Sequence, residues 1–385
     1  MRQACPLCGA SPLPAPFLER RGVPVLQNHP RATQGEALAE PRGDLLLVGC
    51  ERCGYLFNAA FDAERVVYAE TYDNRQDCSS HFEVYLDEVI DHLVARYCLS
   101  GGTTLEVGCG KGAFLRRLCA RAGCRGLGFD SSYVGPPEVG PVRFVTQHYG
   151  PGVGLHDADL ICCRHVLEHV PDPLALLRDV RAGLGDADVG VFFEVPCVEW
   201  ILARGVFWDF FYEHCSYFSA ASLRFAFESA GFEVVAIQPA FAGQYLWVDA
   251  RPAPKSSEPA LSGGLSELPP FSQRVRQRLE RTQAQLERFQ AAGGCLVWGA
   301  GAKGTTLVNT LDPTAERVVG LVDVNPAKQG RFVPGTGHPI LAPHELAGTS
   351  YGGVLVMNPN YLEEIAAELN RLGLGGLELT TLEGP

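Results

Sequence analysis

Between residues 103 and 252 short apolar runs alternate with stretches in which apolar residues recur every three to four positions. The runs at 104–107, 125–129, 158–162, 190–195 and 233–237 are of strand length, and their alternation with helical patterns predicts a parallel sheet covered on both faces. A shorter alternation follows, with strand-like runs at 295–298, 318–322 and 353–357, and predicts a second, smaller doubly wound unit.

Three flanking patterns complete the layout. Phe82, Tyr85, Val89 and Leu93 recur at helical spacing and the pattern ends at Gly101-Gly102, so a helix over 82–98 is expected to pack on the first α/β unit. Residues 251–270 are rich in Pro, Ser and Gly and read as a linker. Behind them Phe271, Val275, Leu279, Leu286 and Phe289 form the stripe of an amphipathic helix suited to packing between domains. The opening residues carry two Cys-x-x-Cys pairs and one apolar run, Leu45-Leu46-Leu47-Val48, and read as a small lobe organised by a metal. The expected divisions are a lobe at 1–65, an α/β domain with a helical entry segment at 66–252, a linker and helix at 253–292, and a C-terminal α/β domain at 293–385.

A chain of 385 residues exceeds what one hydrophobic core usually supports, in keeping with several domains. Its 46% hydrophobic and 20% charged residues are those of a folded globular protein. The net charge of -12 argues against a protein that tracks nucleic-acid phosphates, and a small organic substrate is expected instead. No run approaches the roughly 20 apolar residues that cross a bilayer, and residues 1–21 have no apolar export signal. Several of the 14 cysteines, among them Cys162, Cys163 and Cys295, sit singly in apolar surroundings, which suits a reducing compartment. The expectation is a cytoplasmic monomer or homodimer with no membrane partner.

Cys5-Pro-Leu-Cys8 and Cys50-Glu-Arg-Cys53 have identical spacing, and each is followed by a glycine, Gly9 or Gly54, that lets the backbone turn its amides toward the thiolates. Four thiolates satisfy tetrahedral Zn²⁺ and leave no position for water, so the site reads as structural zinc; unrelated core cysteines or a redox pair are the alternatives.

The first α/β unit opens with Glu106-Val107-Gly108-Cys109-Gly110-Lys111-Gly112 between a strand and a helical pattern. Such a turn lets a ligand approach the backbone at the carboxyl edge of the sheet, and its Gly-x-Gly-x-x-Ala string also fits an NAD-dependent dehydrogenase. Glu106 stands where a carboxylate meets a cationic ligand head. Asp130 ends the next strand, where its oxygens can accept from both ribose hydroxyls, and Gln147-His148 can flank an adenine. Together with Arg164-His165-Val166-Leu167-Glu168-His169-Val170-Pro171-Asp172-Pro173, these residues resemble the class I methyltransferases. The resemblance implies a Rossmann-like fold and S-adenosylmethionine, held by Glu106, Gly108, Gly110, Asp130 and Gln147, with Ser131 and Arg164 beside them.

Residues 209–219 concentrate ionisable and aromatic groups beyond the run ending near Val195, and His165 and His169 are expected at the same sheet edge. With Glu213, His214, Tyr217, Phe218 and Ser219 in a Tyr-x-Glu-His-x-x-Tyr-Phe-Ser pattern, and with His169-Val170-Pro171, the whole chain resembles the sugar C-methyltransferase family, whose members carry a zinc-binding domain, a methyltransferase domain and a C-terminal domain in this order. That resemblance implies a nucleotide-linked sugar as substrate and offers His214, His169 and Glu213 as base and substrate contacts, with Tyr212 and His165 nearby. Phe211 stands where the family has Tyr, Tyr212 is displaced by one position, and Tyr72-Asp73-Asn74 with Ser79-Ser80-His81-Phe82 matches the family's entry segment only loosely. For carbon methylation a base, His214, removes the proton beside a carbonyl while His169 or a Tyr hydroxyl stabilises the enolate; for oxygen methylation the same His deprotonates an alcohol.

In the C-terminal unit Gly299-Ala300-Gly301-Ala302-Lys303-Gly304 follows a strand, and Asp323 ends the next. On motif alone this is the better dinucleotide fingerprint and keeps an NAD-dependent oxidoreductase in play. Yet with residues 323–330, 333–336 and 358–361 it resembles the C-terminal domain of the same family, where it completes the substrate cleft; nucleotide contact through Lys303 and a purely architectural role both stay open.

Overall fold

The computed structural model describes residues 2–67, 79–150, 152–153, 157–185, 187–253, 259–261 and 263–382. Tyr72, Asp73 and Asn74 lie outside the described residues.

Three sheets organise them. The strands Leu18–Pro24, Arg42–Gly49 and Leu56–Asn58 form an antiparallel sheet with a fourth member from far along the chain: Ser216–Tyr217 pairs with Leu56–Asn58, Ser216 opposite Phe57. The short loops holding the Cys-x-x-Cys pairs are therefore tied directly to the segment that carries Glu213 and His214.

The central sheet has eight strands. Gly190–Pro196, Leu160–Arg164, Thr103–Val107, Arg125–Phe129 and Val142–Val145 lie side by side and parallel, in that spatial order. Next to Gly190–Pro196 runs an antiparallel strand, Tyr245–Pro252, followed by Phe232–Ala240; Glu138–Val139 closes the other edge. Tyr245–Pro252 thus interrupts the parallel set expected from residues 103–252. Its backbone enters the sheet by way of the tight turn at Phe241, Ala242 and Gly243, all at positive φ. The third sheet, in the order Ile340–Leu341, Val318–Val322, Cys295–Trp298, Gly353–Val356, Leu379–Thr381, is entirely parallel.

Local chemistry sets the helix limits that matter for the site. Ser79 accepts from the amide of Phe82 and starts Ser80–Tyr97, which stops at Cys98 in the left-handed conformation. Asp172 caps Pro173–Leu184 with Pro173 at the first position, where a missing N–H costs nothing. The Pro-Asp-Pro part of the 164–173 motif is accordingly a helix start.

Helix Leu268–Ala291 joins the units. It buries Phe271, Val275, Leu286 and Phe289 against strands of both the first and third sheets. Phe17 meets Phe210 and Phe271 edge-on with ring centres 5.9 and 5.8 Å away, so one aromatic contact fixes the lobe, the 209–219 segment and this helix together. Burying each such side chain contributes about 1.5–3 kcal/mol. Among the described residues no helix is long and apolar enough to cross a membrane.

Candidate functional site

At the lobe, the Sγ atoms of Cys5 and Cys53 lie 3.8 Å apart and those of Cys8 and Cys50 3.5 Å apart. All four fall within 4.8 Å of one another. A tetrahedron with metal–sulfur bonds of about 2.3 Å has edges of about 3.8 Å, so the donor set fits a four-coordinate ion. Gly9 and Gly54, at φ 71° and 68°, donate their amides to the carbonyls of Cys5 and Cys50 and close the two knuckles.

At the carboxyl edge of the central sheet, Gly108, Gly110 and Gly112 all take positive φ between strand Thr103–Val107 and helix Ala113–Ala122. A Cβ on Gly108 would stand 2.2 Å from Val166, and one on Gly112 2.3 Å from Phe144. The loop is drawn down by two amides, Gly108 and Cys109, that donate to the carbonyl of Phe129. Asp130 then accepts from Gly110 N at 2.8 Å and from Ser132 N at 2.7 Å.

Glu106 is buried beneath the loop and its Oε2 has no hydrogen-bond partner. Burial pushes its pKa up to about 8; Arg164 opposes that shift and the Asp130 charge adds to it. Ser131 and Gln147 are exposed on the loops after their strands. Arg164 turns its guanidinium onto Glu194 Oε1 at 2.8 Å and over the ring of Phe114 at 4.4 Å.

A cavity of about 1130 Å³ opens between the carboxyl edges of the central and C-terminal sheets, and none of Glu106, Gly108, Gly110 or Asp130 lines it. His165, His169, His214 and Tyr245 line one side, and Lys303 and Lys328 the other. His214 is wedged between Phe211, 4.1 Å away ring to ring, and His169, 4.6 Å away and perpendicular. Its pKa is held well below the ordinary value, first by burial and then by repulsion from His169, His165 and Lys303. His169 is oriented by a 3.1 Å contact from Nδ1 to the carbonyl of Glu213.

Of residues 209–219 only Asp209, Phe211 and His214 line the cavity. The buried Glu213 carboxylate accepts the amides of Gln27 and Asn28, the second at 3.1 Å, and thereby holds the segment that brings Asn28 to the cavity wall. Tyr212 points the other way: its hydroxyl accepts from Asp62 N at 3.0 Å and its ring packs on Phe61. Phe211, the residue before it, faces His214, so the aromatic wall at this point carries no phenol. Tyr217 exchanges hydrogen bonds with the backbone of Phe211 and serves the local turn.

Several residues at the site were not singled out by sequence reasoning. Glu194, wholly buried in Gly190–Pro196, accepts from Arg164, from Trp247 Nε1 at 2.7 Å and from the Tyr85 hydroxyl, and contacts His165 Nε2 at 2.6 Å. Burial alone would raise its pKa; Arg164 and His165 outweigh it and hold the carboxyl well below its usual range. One signal was available: a carboxylate inside the apolar run 190–195 must find cationic partners. Tyr245 and Gln244 come from the strand and turn missed between residues 240 and 252.

On the far wall Lys303 reaches Asp209 at 3.0 Å and Gln244 at 3.3 Å, while Lys328 reaches Asn28 at 2.9 Å and Asp323 at 3.7 Å. Gln244 and Asn358 bond to each other across the gap. Asp323 also accepts from the amides of Ala300 and Asn325, at 3.0 and 2.9 Å.

Comparison with known proteins identifies the family. Residues 80–237 match the family model described as a methyltransferase domain, and residues 262–380 match the C-methyltransferase C-terminal domain. The C-methyltransferase NovU of Streptomyces niveus is 30% identical over 357 residues, 86% of this chain and 84% of its own. A ubiquinone biosynthesis O-methyltransferase of Xanthomonas campestris pv. campestris is 31% identical over 102 residues, 23% of this chain and 41% of its own. Among solved structures, magnesium protoporphyrin IX methyltransferase from Synechocystis with bound S-adenosylhomocysteine is 20% identical, with a TM-score of 0.36 over 48% of this chain and 91% of that one. The shared identity with NovU along most of both chains, and the two family models that follow one another on this one, place the chain in the family of S-adenosylmethionine-dependent C-methyltransferases.

Proposed function

We propose that the enzyme transfers the methyl group to a carbon beside the carbonyl of a nucleotide-linked sugar, with His214 as the base. The reading is carried by one opposition across one cavity: an imidazole whose charged form is disfavoured faces a wall that carries Lys303, Lys328 and the 299–304 glycine loop. A neutral imidazole can take a proton near pH 7. The opposite wall offers cations and amides of the kind that hold a diphosphate, and the volume exceeds what a small acceptor alone would fill.

Glu106, Gly108, Gly110 and Asp130 suit a ligand with a cationic end and a ribose, since Glu106 keeps an unpartnered oxygen in the core and Asp130 stands at the strand end. S-adenosylmethionine supplies there an electrophilic methyl group and leaves as S-adenosylhomocysteine. His214 Nε2 or Nδ1 accepts the acceptor's C–H proton, and the C–H electron pair passes through the enolate into the new carbon–carbon bond. His169, fixed by Glu213, keeps the ring of His214 in place, and the proton on His214 returns to solvent. Holding the two reacting carbons in line is the chain's largest contribution to rate.

Cys5, Cys8, Cys50 and Cys53 hold a structural zinc, which braces the lobe against Ser216–Tyr217 and so the loop of His214. Buried unpaired thiols such as Cys162 and Cys163 fit a cytoplasmic enzyme.

Incubation with S-adenosylmethionine labelled with carbon-13 at the methyl and a nucleoside-diphosphate-linked 4-keto-6-deoxyhexose tests the reading. A carbon-bound methyl in the product spectrum, formed on the order of 10²–10⁴ times more slowly by His214→Ala, is the expected result. A methoxyl product, or an undiminished His214→Ala enzyme, would sink it. About one zinc per chain by elemental analysis, lost together with cooperative unfolding in Cys5→Ser/Cys53→Ser, checks the metal.

A further inference from the structure

His165 lies between two buried carboxylates. Its Nε2 lies 2.6 Å from Glu194 Oε1 and its Nδ1 3.4 Å from Glu168 Oε1. Neither approach is an aligned hydrogen bond, since His165 Nε2 and both Glu168 oxygens are buried without a hydrogen-bond partner, so the two carboxylates act on the ring through their charge and favour its cationic form. His165 adopts φ 53°, in the left-handed region where Asn, Asp and His are the enriched non-glycine residues. The turn directs the ring out of strand Leu160–Arg164 into the cavity.

We propose that Glu194 is a positioning residue that keeps His165 as an imidazolium over the cavity, and that His165 receives the negative charge developing on the acceptor's carbonyl oxygen as His214 removes the neighbouring proton. The second half rests on the function proposed above; the first does not.

Glu194 is suited to the task because it cannot itself take the proton. Arg164, Trp247 Nε1 and the Tyr85 hydroxyl all donate to it, and no donor in that set can turn acceptor without losing its own bond. The groups that face His165 are few: Glu194 from strand Gly190–Pro196, Glu168 from the turn Leu167–His169, Arg164 behind it on its own strand, and the ring of Tyr245 at 4.6 Å from strand Tyr245–Pro252. Tyr85 and Trp247 act on it only through Glu194. Burial disfavours the cation, but the two carboxylates outweigh burial and bring the pKa to about 9. His214, lined up on the same cavity, is driven the opposite way, in part by the charge on His165 itself. Two histidines pushed apart in this manner form an acid and base pair at one pH. The Nδ1 side, 3.4 Å from Glu168, is the one an oxyanion can approach, while Glu194 stays beside the ring and holds its charge.

The test is a pH titration of the full chain labelled with nitrogen-15 in histidine, with the His165 signals assigned by their loss in His165→Gln. In the wild type both ring nitrogens of His165 should remain protonated to above about pH 8, and Glu194→Gln should lower that midpoint by at least about one unit. A neutral His165 at pH 7.5 in the wild type would overturn the proposal without any variant, so a misfolded Glu194→Gln protein leaves it decidable; so would an unmoved midpoint in a folded Glu194→Gln protein. With the same 4-keto sugar nucleotide, Glu194→Gln should lose activity most on the alkaline side, about tenfold or more in kcat with S-adenosylmethionine affinity unchanged. A cationic His165 in an enzyme that forms no carbon-bound methyl would retain Glu194 as the holder of the charge and discard the C-methylation reading together with the enolate role, so the two failures are distinguishable.

Discussion

The chain contains two glycine loops built to one plan, and they differ in what surrounds them. Each follows a central parallel strand and opens a helix of 10 residues, Ala113–Ala122 or Ala302–Leu311. In each the first glycine amide, Gly108 or Gly299, donates at 2.8 Å to the carbonyl ending the neighbouring strand, Phe129 or Val322. In each an aspartate after that strand, Asp130 or Asp323, accepts from a loop amide. The difference is electrostatic. Asp323 is neutralised by Lys328, and the lysine of its own loop, Lys303, is spent on Asp209. Beneath the central loop lies Glu106 with an unpartnered oxygen. A fingerprint of glycines therefore reports a way of turning the backbone; the buried carboxyl with an unpartnered oxygen beneath the central loop is what marks that loop for a cationic cofactor head.

The largest effect should come from packing. A Cβ on Gly304 would stand 2.0 Å from the carbonyl oxygen of Gly299, backbone against backbone with nothing flexible to yield. Gly304→Ala should destabilise the C-terminal unit by about 3 kcal/mol. Gly110, at φ 53° with open space around it, should cost about 1–2 kcal/mol as Ala, from backbone strain alone. Urea unfolding of the two variants measures both, and equal losses would mean that Gly304 is packed no more tightly than Gly110.

The next contrast concerns ligand. Asp130→Ala should weaken S-adenosylmethionine binding by about 2–3 kcal/mol, on the order of 100-fold, the worth of two hydrogen bonds to a charged acceptor. Asp323→Ala should change it less than about twofold, because its carboxylate already serves Lys328 and two amides. Calorimetric titration of both variants decides, and the reverse order would move the cofactor to the C-terminal loop.

How far the sequence displayed this difference depends on range. The thiolate pairs, Asp130 at a strand end and the helix over residues 82–98 follow from spacing within a few residues, and local spacing survives folding. Residues brought together from afar left weaker traces. Ser216–Tyr217 joins Leu56–Asn58 across some 160 positions, and no period in either stretch announces it. Phe211 and Tyr212 face opposite directions, and a pattern match displaced by one residue cannot say which of two adjacent rings enters the cavity. Strand Tyr245–Pro252 slipped between two others because a hairpin return has the same apolar pattern as a parallel strand. Even so, Glu194 was visible as a charge within an apolar run, and the better motif match of the C-terminal loop could have been set aside as the cofactor site by asking which charges were already paired.

The smallest effect sharpens the comparison furthest, because it isolates Glu106. Its pKa of about 8 lies above the ordinary 4.5, so in the free enzyme near pH 7 the carboxyl is mostly protonated. A cationic ligand head favours the ionised form and must expel that proton on binding. The sign follows: affinity for S-adenosylmethionine should rise with pH, by at most tenfold per unit, and level off above about pH 8, where no proton remains to be displaced. Titrations near pH 7 in two buffers of different ionisation enthalpy should report release of up to about one proton per chain, and Glu106→Gln should abolish both the release and the slope. Asp323→Asn, at the other loop, should leave them untouched. A proton uptake in place of release would show that the buried carboxylate meets the neutral part of the ligand, and that the charge which sets the two loops apart serves the fold of the central sheet instead.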